Sequence, residues 1–231
     1  MLKLMNCVIK NRVYFNIEEG VLLKLSLEEG TFAVKETRQI LKNYLNGTDY
    51  HISDAPKIFN EARGVFISLY ENSKNTLRGC IGIPEPVMPL KDALKEAAIS
   101  AAVHDPRFTP ITRDELKKID IEVSILTHPK LLDVENPMEY IKKMNIGKHG
   151  LIIEFGTYRG LLLPQIAKEY NWSKKQYLSN LCTKAGMHPT AWLEYDVNIY
   201  SFEAQVFREL KPEGMITERL EFRGCGLDKK F

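Results

Sequence analysis

The sequence predicts an α+β protein of two related β-hairpin, helix and strand halves, packed together with their helices against mixed or antiparallel sheets. Three observations carry that prediction. Short strand-like runs come in neighbouring pairs, Gly64 to Tyr70 with Leu77 to Ile83 and His149 to Phe155 with Arg159 to Pro164. A turn-rich link suited to a hairpin separates the members of each pair. Each pair precedes apolar residues at helical spacing, Leu94, Ala97, Ala98, Ala101 and Ala102 after the first, Tyr177, Leu181 and Ala185 after the second. Finally, Arg63-Gly64 and Arg78-Gly79 in the first pair are echoed by His149-Gly150 and Arg159-Gly160 in the second. The echo implies an internal duplication, with a groove between the copies.

Taken in order, residues 1–25 alternate weakly and form an N-terminal extension with strand candidates at Val13 to Ile17 and Val21 to Leu23. Ser26-Leu27-Glu28-Glu29 is a capping box opening a helix. Its apolar stripe, Leu27, Ala33, Val34, Ile40, Leu41 and Tyr44, stops at Asn46-Gly47. A polar loop, Thr48 to Ala62, leads into the first hairpin. Pro84, Pro86 and Pro89 break its second strand, and Pro89 opens a helix that ends near His104. After the loop His104 to Pro110, Thr112-Arg113-Asp114-Glu115 forms a second capping box, and Ile119 to Ile125 alternates as a half-buried strand. Asn136-Pro137 begins a helix ended near Gly147. In the second half Ser173 caps a helix, Met187-His188-Pro189 repeats the His/Pro loop, and Val197 to Phe207 is the returning strand. Lys211-Pro212-Glu213-Gly214 reads as a linker. The domain is thus placed at 26–210, with halves at about 60–126 and 137–208 and a tail at 211–231.

Composition narrows the function classes. A chain of 231 residues, 44% hydrophobic and 27% charged, has enough apolar material for a sizeable core and is ordinary soluble protein. A net charge of +2 gives little encouragement to nucleic acid or an anionic membrane surface as partner. Met1 to Cys7 lack a signal-peptide pattern and no apolar run approaches the roughly 20 residues of a membrane span, so the expected location is cytoplasmic. Cysteines 7, 80, 182 and 225 stand far apart, and the histidines show no His-Glu-x-x-His motif. No metal and no cofactor are inferred. Disulfides are not required in a reducing compartment, although Cys7 or Cys225 could pair in a protein from an extreme environment.

The hexapeptide Leu77-Arg78-Gly79-Cys80-Ile81-Gly82 concentrates a cation, a thiol and two glycines. Together with Gly64-Val65-Phe66, Asp105-Pro106-Arg107-Phe108, Thr112-Arg113-Asp114-Glu115-Leu116, His149-Gly150 and Leu163-Pro164 through Trp172, it resembles the AMMECR domain family. That family is named for the Alport syndrome, mental retardation, midface hypoplasia and elliptocytosis chromosomal region. The likeness spans roughly residues 60 to 208. It implies a shared domain without an established chemistry, working in a multi-protein modification system beside Memo-like and radical SAM proteins. His104 does not belong to the matching pattern, so no base role comes to it from the resemblance.

In an extended strand Arg78, Cys80 and Gly82 share one face, and Leu77, Ile81 and Ile83 the other. A guanidinium two residues from a thiol favours the thiolate. Cys80 is therefore the candidate nucleophile, and Arg78 the candidate holder of a small anionic ligand, a carboxylate or phosphate. Gly79 and Gly82 leave room for that ligand or mark a bulge. Asp105 and Arg107 form a ligand clamp or a helix-terminating ion pair. His149 joins the ligand-binding candidates, or is a hydrogen-bonded structural residue. Against a reactive Cys80 stands plain packing, since Cys is among the most buried residue types. In the duplicate, Arg78 corresponds to Arg159 and Cys80 to Leu161, while Gly82 has no counterpart. Three readings stay open: a small-ligand-binding or enzyme-like domain with a cleft centred on the hexapeptide, a non-catalytic interaction module, and a nucleic-acid-binding protein.

Overall fold

The structure, a computed structural model, describes residues 24–72 and 74–219. The strand candidates of the extension, Cys7 and Cys225 lie outside them. The described chain divides into two compact units, 24–127 with 205–219, and 128–204.

The first unit contains α1 (Leu27–Leu45), a 3-10 turn (Lys57–Asn60), β1 (Val65–Glu71), β2 (Thr76–Ile83), α2 (Leu90–Val103), α3 (Arg113–Leu116) and β3 (Ile119–Leu126). The second contains β4 (Lys130–Leu131), α4 (Glu139–Lys143), β5 (Gly150–Phe155), β6 (Tyr158–Leu162), α5 (Ile166–Glu169), α6 (Lys174–Lys184), α7 (Ala191–Glu194) and β7 (Asn198–Phe202). The chain then returns to the first unit through β8 (Ala204–Glu209) and β9 (Ile216–Arg219). The result is α+β, with a five-stranded sheet in the order β2-β1-β3-β8-β9 and a four-stranded sheet in the order β4-β7-β5-β6. β1 pairs antiparallel with both β2 and β3, and β5 antiparallel with both β6 and β7.

The order β2-β1-β3 therefore recurs as β6-β5-β7. This is the topology a duplication requires, though like topology is not by itself common descent.

Local signals and tertiary burial agree in α1. Glu29 N–H donates to Ser26 Oγ, and Glu29 Oε2 accepts from Ser26 N–H. Ala33, Val34, Ile40 and Leu41 are buried, whereas Leu27 and Tyr44, expected in the same stripe, are 53% and 41% exposed. The buried stripe is thus narrower than its apolar residues suggest. Val65, Ile67 and Leu69 of β1, Ile121 and Val123 of β3, and Phe207 of β8 complete this core with α2. The second core gathers Tyr140, Leu151, Ile153, Tyr177, Leu181, Trp192 and Ile199.

Three expectations change. The returning strand, expected unbroken from 197 to 207, parts at Glu203: β7 belongs to the smaller sheet and β8 to the larger. Apolar alternation continues across that break, so periodicity alone does not see the change of partner. The described part of the segment read as linker and tail, residues 211–219, is a turn into β9, closed by Gly214 N–H to Lys211 O and Leu210 N–H to Met215 O. Lastly β3, expected half-buried, is buried at every residue.

Candidate functional site

β2 is an edge strand, so alternate backbone groups face away from β1. At Cys80 the Asp105-Pro106-Arg107-Phe108 loop takes these groups up. Cys80 N–H donates to Asp105 Oδ2 (2.8 Å), and Cys80 O accepts from Arg107 Nη2 (3.1 Å). Arg107 in turn donates through Nε and Nη2 to the two oxygens of Asp105, at 2.9 and 2.6 Å. Burial works to raise the Asp105 pKa, but the Arg107 guanidinium and the amide donors outweigh it and hold the carboxyl below the usual carboxylate range. This triangle straps the free edge of the sheet. Each member has its partners within the fold.

Arg78 has a different task. The β1–β2 register pairs Leu69 with Gly79 but Tyr70 with Leu77, which makes Arg78 the extra residue of a β-bulge. The bulge interrupts the alternation that would have set Arg78 beside Cys80. Its guanidinium donates from Nε and Nη2 to Glu115 Oε1, at 3.2 and 3.1 Å, and from Nη2 to Thr109 Oγ1. Phe108 lies under both guanidinium groups, 5.9 Å from Arg78 and 5.3 Å from Arg107. Glu115 also closes the α3 capping box on Thr112, so one carboxylate joins helix start and bulge. Backbone and side-chain donors from Thr112, with Arg78, depress the Glu115 pKa.

The room made by the two glycines is filled from inside the fold. A Cβ on Gly79 would lie 2.1 Å from the carbonyl oxygen of Ala101, and one on Gly82 2.2 Å from the ring of Phe66. Gly79 lets the end of α2 sit directly on the strand. The small residues Ala97, Ala98 and Ala101 serve the same close approach.

The side chain of Cys80 belongs to the other side of the sheet. Ile119, Ile121, Val123 and Ile125 of β3 face the helical core, so Asp120, Glu122 and Ser124 face away. Register then builds a row across three strands: Ser68 of β1 lies opposite Cys80 on one side and Glu122 on the other. Ser68 Oγ is 3.4 Å from Cys80 Sγ. One row along, Tyr70 is opposite Asp120. Arg208 of β8 lies 4.1 Å over the Tyr70 ring, 3.4 Å from Asp120 and 3.9 Å from Glu122. Arg219 of β9 approaches the same Glu122 oxygen, Oε2, at 3.9 Å.

Apart from the partly exposed Arg219, the row is buried: Ser68 is 1% exposed, Glu122 0%, Asp120 and Arg208 3%, and Cys80 5%. Burial, with the Glu122 charge, drives the Tyr70 phenol far up. Ser124 Oγ and the Nε and Nη1 groups of Arg208 have no hydrogen-bond partner in this buried space. Cys80 is held in a disulfide, so thiolate chemistry there requires reduced protein. Ser68, Tyr70, Asp120, Glu122 and Arg208 were not singled out from the sequence. The signal available was the alternating polar set of β3, and it reads as a solvated face until strand pairing is known.

His149 belongs to the second unit. Its Nδ1 accepts from Asn145 N–H (3.3 Å), its carbonyl accepts from the Tyr177 hydroxyl (3.3 Å), and Nε2 is 4.0 Å from Glu203. Burial lowers its pKa, against a smaller opposing pull from Glu203. Among the described residues no group of three His, Cys, Asp or Glu side chains is placed to hold a metal ion. No described helix is long and apolar enough to cross a membrane.

Fold and site together define a two-sheet α+β protein with a strapped sheet edge and a buried polar row. The chain belongs to the AMMECR1 family, whose model matches residues 34–207. It is 58% identical over 195 residues to a protein of Methanococcus aeolicus, covering 84% of this chain and 98% of that one. Protein MJ0810 of Methanocaldococcus jannaschii is 55% identical, with 84% and 97% covered. Among solved structures, uncharacterized protein PH0010 from Pyrococcus horikoshii superposes with a TM-score of 0.73 at 40% identity, over 83% of this chain and 97% of that chain.

Proposed function

We propose that this chain is a small-ligand-binding, enzyme-like domain whose reacting groups line the polar face of the larger sheet, around Cys80, Ser68, Glu122, Tyr70 and Arg208. One observation carries the reading: a fully buried carboxylate stands in a cross-strand row with a hydroxyl and a sulfur, flanked by a phenol and two guanidinium groups. Well-packed apolar residues on that face would serve stability as well or better. A buried group with displaced ionisation, here the Tyr70 phenol, is a feature of places where chemistry or binding is done. Arg208 Nε and Nη1 make no hydrogen bond, Nη1 having only the 3.9 Å ion pair with Glu122, and such donors suit a small anion.

Thermal-shift titration of reduced protein with a panel of carboxylate and phosphate metabolites tests it. A member of the panel stabilises the wild type, and Arg208→Lys and Glu122→Gln, folded by circular dichroism, lose the effect. A panel without any stabilising member, or unchanged stabilisation in both variants, removes the reading. Alkylation of reduced native protein against pH then isolates Cys80: ordinary thiol ionisation there leaves a binding site without a nucleophile.

A second reading, a non-catalytic interaction module, draws on the hexapeptide edge. Asp105 and Arg107 are engaged within the fold, Arg78 is held through Nε and Nη2 while its buried Nη1 has no hydrogen bond, and both glycines are filled by neighbours. On this reading a Cys80→Ala chain still co-purifies with the Memo-like and radical SAM partners that the resemblance implies.

A further inference from the structure

The stretch Thr112-Arg113-Asp114-Glu115-Leu116 is only partly used by the fold. Thr112 and Glu115 close the capping box, Glu115 holds Arg78, and Leu116 is buried in the core. Arg113 and Asp114 remain on the surface. They line a recess of about 510 Å³ where the C-terminal end of α1, α3 and the β8–β9 turn meet. That volume falls within the size range of small-molecule sites, roughly 300–1,000 Å³.

Arg113 donates Nε to the carbonyl of Leu45 at 2.6 Å, and its two terminal nitrogens have no hydrogen-bond or ion-pair partner among the described residues. The guanidinium is oriented at one end and unengaged at the other. Two more cations line the same recess. Lys42 is bound to Glu213 and Lys117 to Asp114, both at 2.8 Å. These are exposed pairs, with the Glu213 and Asp114 side chains 54% and 87% accessible. Such pairs contribute little and exchange readily with a better anion. Arg38, also at the recess, is committed inward to Glu209 and to the carbonyls of Leu116 and Ile119. The negative end of the α1 dipole works against an anion here, but Arg113 already occupies the Leu45 carbonyl and Lys42 sits in the last helical turn.

We infer that this recess binds a small molecule carrying a phosphate monoester, taken bidentately by Arg113 and flanked by Lys42 and Lys117 once these exchange Glu213 and Asp114 for the ligand. A phosphate monoester fits better than a single carboxylate. It carries roughly −1.5 to −2 charges at neutral pH against three cations, and has several acceptor oxygens for a planar fork of donors. The site is separate from the polar face proposed above and stands or falls without it.

The test is calorimetric titration of the full chain with adenosine monophosphate at low salt, with adenosine as control. Wild type binds the monophosphate saturably and adenosine not at all, and affinity falls as salt is raised. Arg113→Gln and the double variant Lys42→Gln/Lys117→Gln each bind about tenfold more weakly or worse. The double variant keeps the Arg113–Leu45 bond, so it decides the matter if Arg113→Gln loosens α1 from α3. The assignment is overturned by no saturable binding of the monophosphate to wild type, by equal binding of adenosine, or by wild-type affinity in the double variant.

Discussion

Arg107 holds the Asp105 carboxylate and the Cys80 carbonyl at the same time, and its side chain is 29% exposed while that of Asp105 is 2% exposed. Arg107→Ala therefore leaves a buried carboxylate without its cation and a strand carbonyl without its donor. A loss of about 2 kcal/mol in urea unfolding is expected, and Arg107→Lys recovers little of it, because one ammonium cannot replace a fork of donors. His149 gives a pH signature. Its folded pKa lies below the ordinary 6.5 because burial disfavours the imidazolium. The unfolded chain thus takes up the proton first as pH falls. Stability is full above 6.5 and declines below it, through the window down to the folded pKa. Denaturant midpoints measured from pH 7.5 to 5.5 should fall in wild type, and less steeply in His149→Gln; parallel profiles would remove His149 as the source.

Elements were legible in the sequence where their signals are local. The capping boxes at Ser26 and Thr112 are written within four residues each, and the structure closes both. Pro89 caps α2, whose Leu90, Ala93, Leu94, Ala97, Ala98, Ala101 and Ala102 are all buried. The small residues already suit a helix packed closely on a sheet, and the structure adds where the closest approach falls. They bring the end of α2 onto Gly79 at backbone distance, so Gly79→Ala forces strand and helix apart. A loss of about 2–3 kcal/mol is expected there by thermal or denaturant melting. Gly82→Ala should cost less, since its neighbour is the Phe66 ring, which has rotamer freedom, rather than a backbone oxygen. Equal costs would mean that the helix, too, gives way. The sequence allows a bulge at Gly79 or Gly82, but that the extra residue is Arg78, and which groups then meet, depends on the partner strand.

At the level of the molecule, residues 205–219 close the larger sheet from far along the chain. Phe207 enters the first core, and Glu209 forms a buried ion pair with Arg38 and accepts from Ile121 N–H. A fragment of 24–127 without 205–219 lacks β8, β9 and both groups, and leaves the Arg38 guanidinium buried without its carboxylate. It should not give native-like near-ultraviolet circular dichroism or amide dispersion, whereas 128–204, which has its own sheet and core, should. Dispersed spectra from the truncated first unit would show that β8 and β9 are accessory.

The sequence by itself determined the family, the α+β class, the starts of α1, α2, α3 and α6 and the stretch containing the strapped edge, because these depend on residue type and short-range spacing, whereas α4, expected from Asn136-Pro137 to near Gly147, spans only Glu139–Lys143. Only the tertiary structure decided what those residues do. It turned Arg78 toward Glu115, used Asp105 and Arg107 to close a sheet edge, and set Cys80 in a row with Ser68 and Glu122. The physical reason is that a side chain's partners on a sheet are chosen by strand register, and register joins residues tens of positions apart on which local periodicity carries no information.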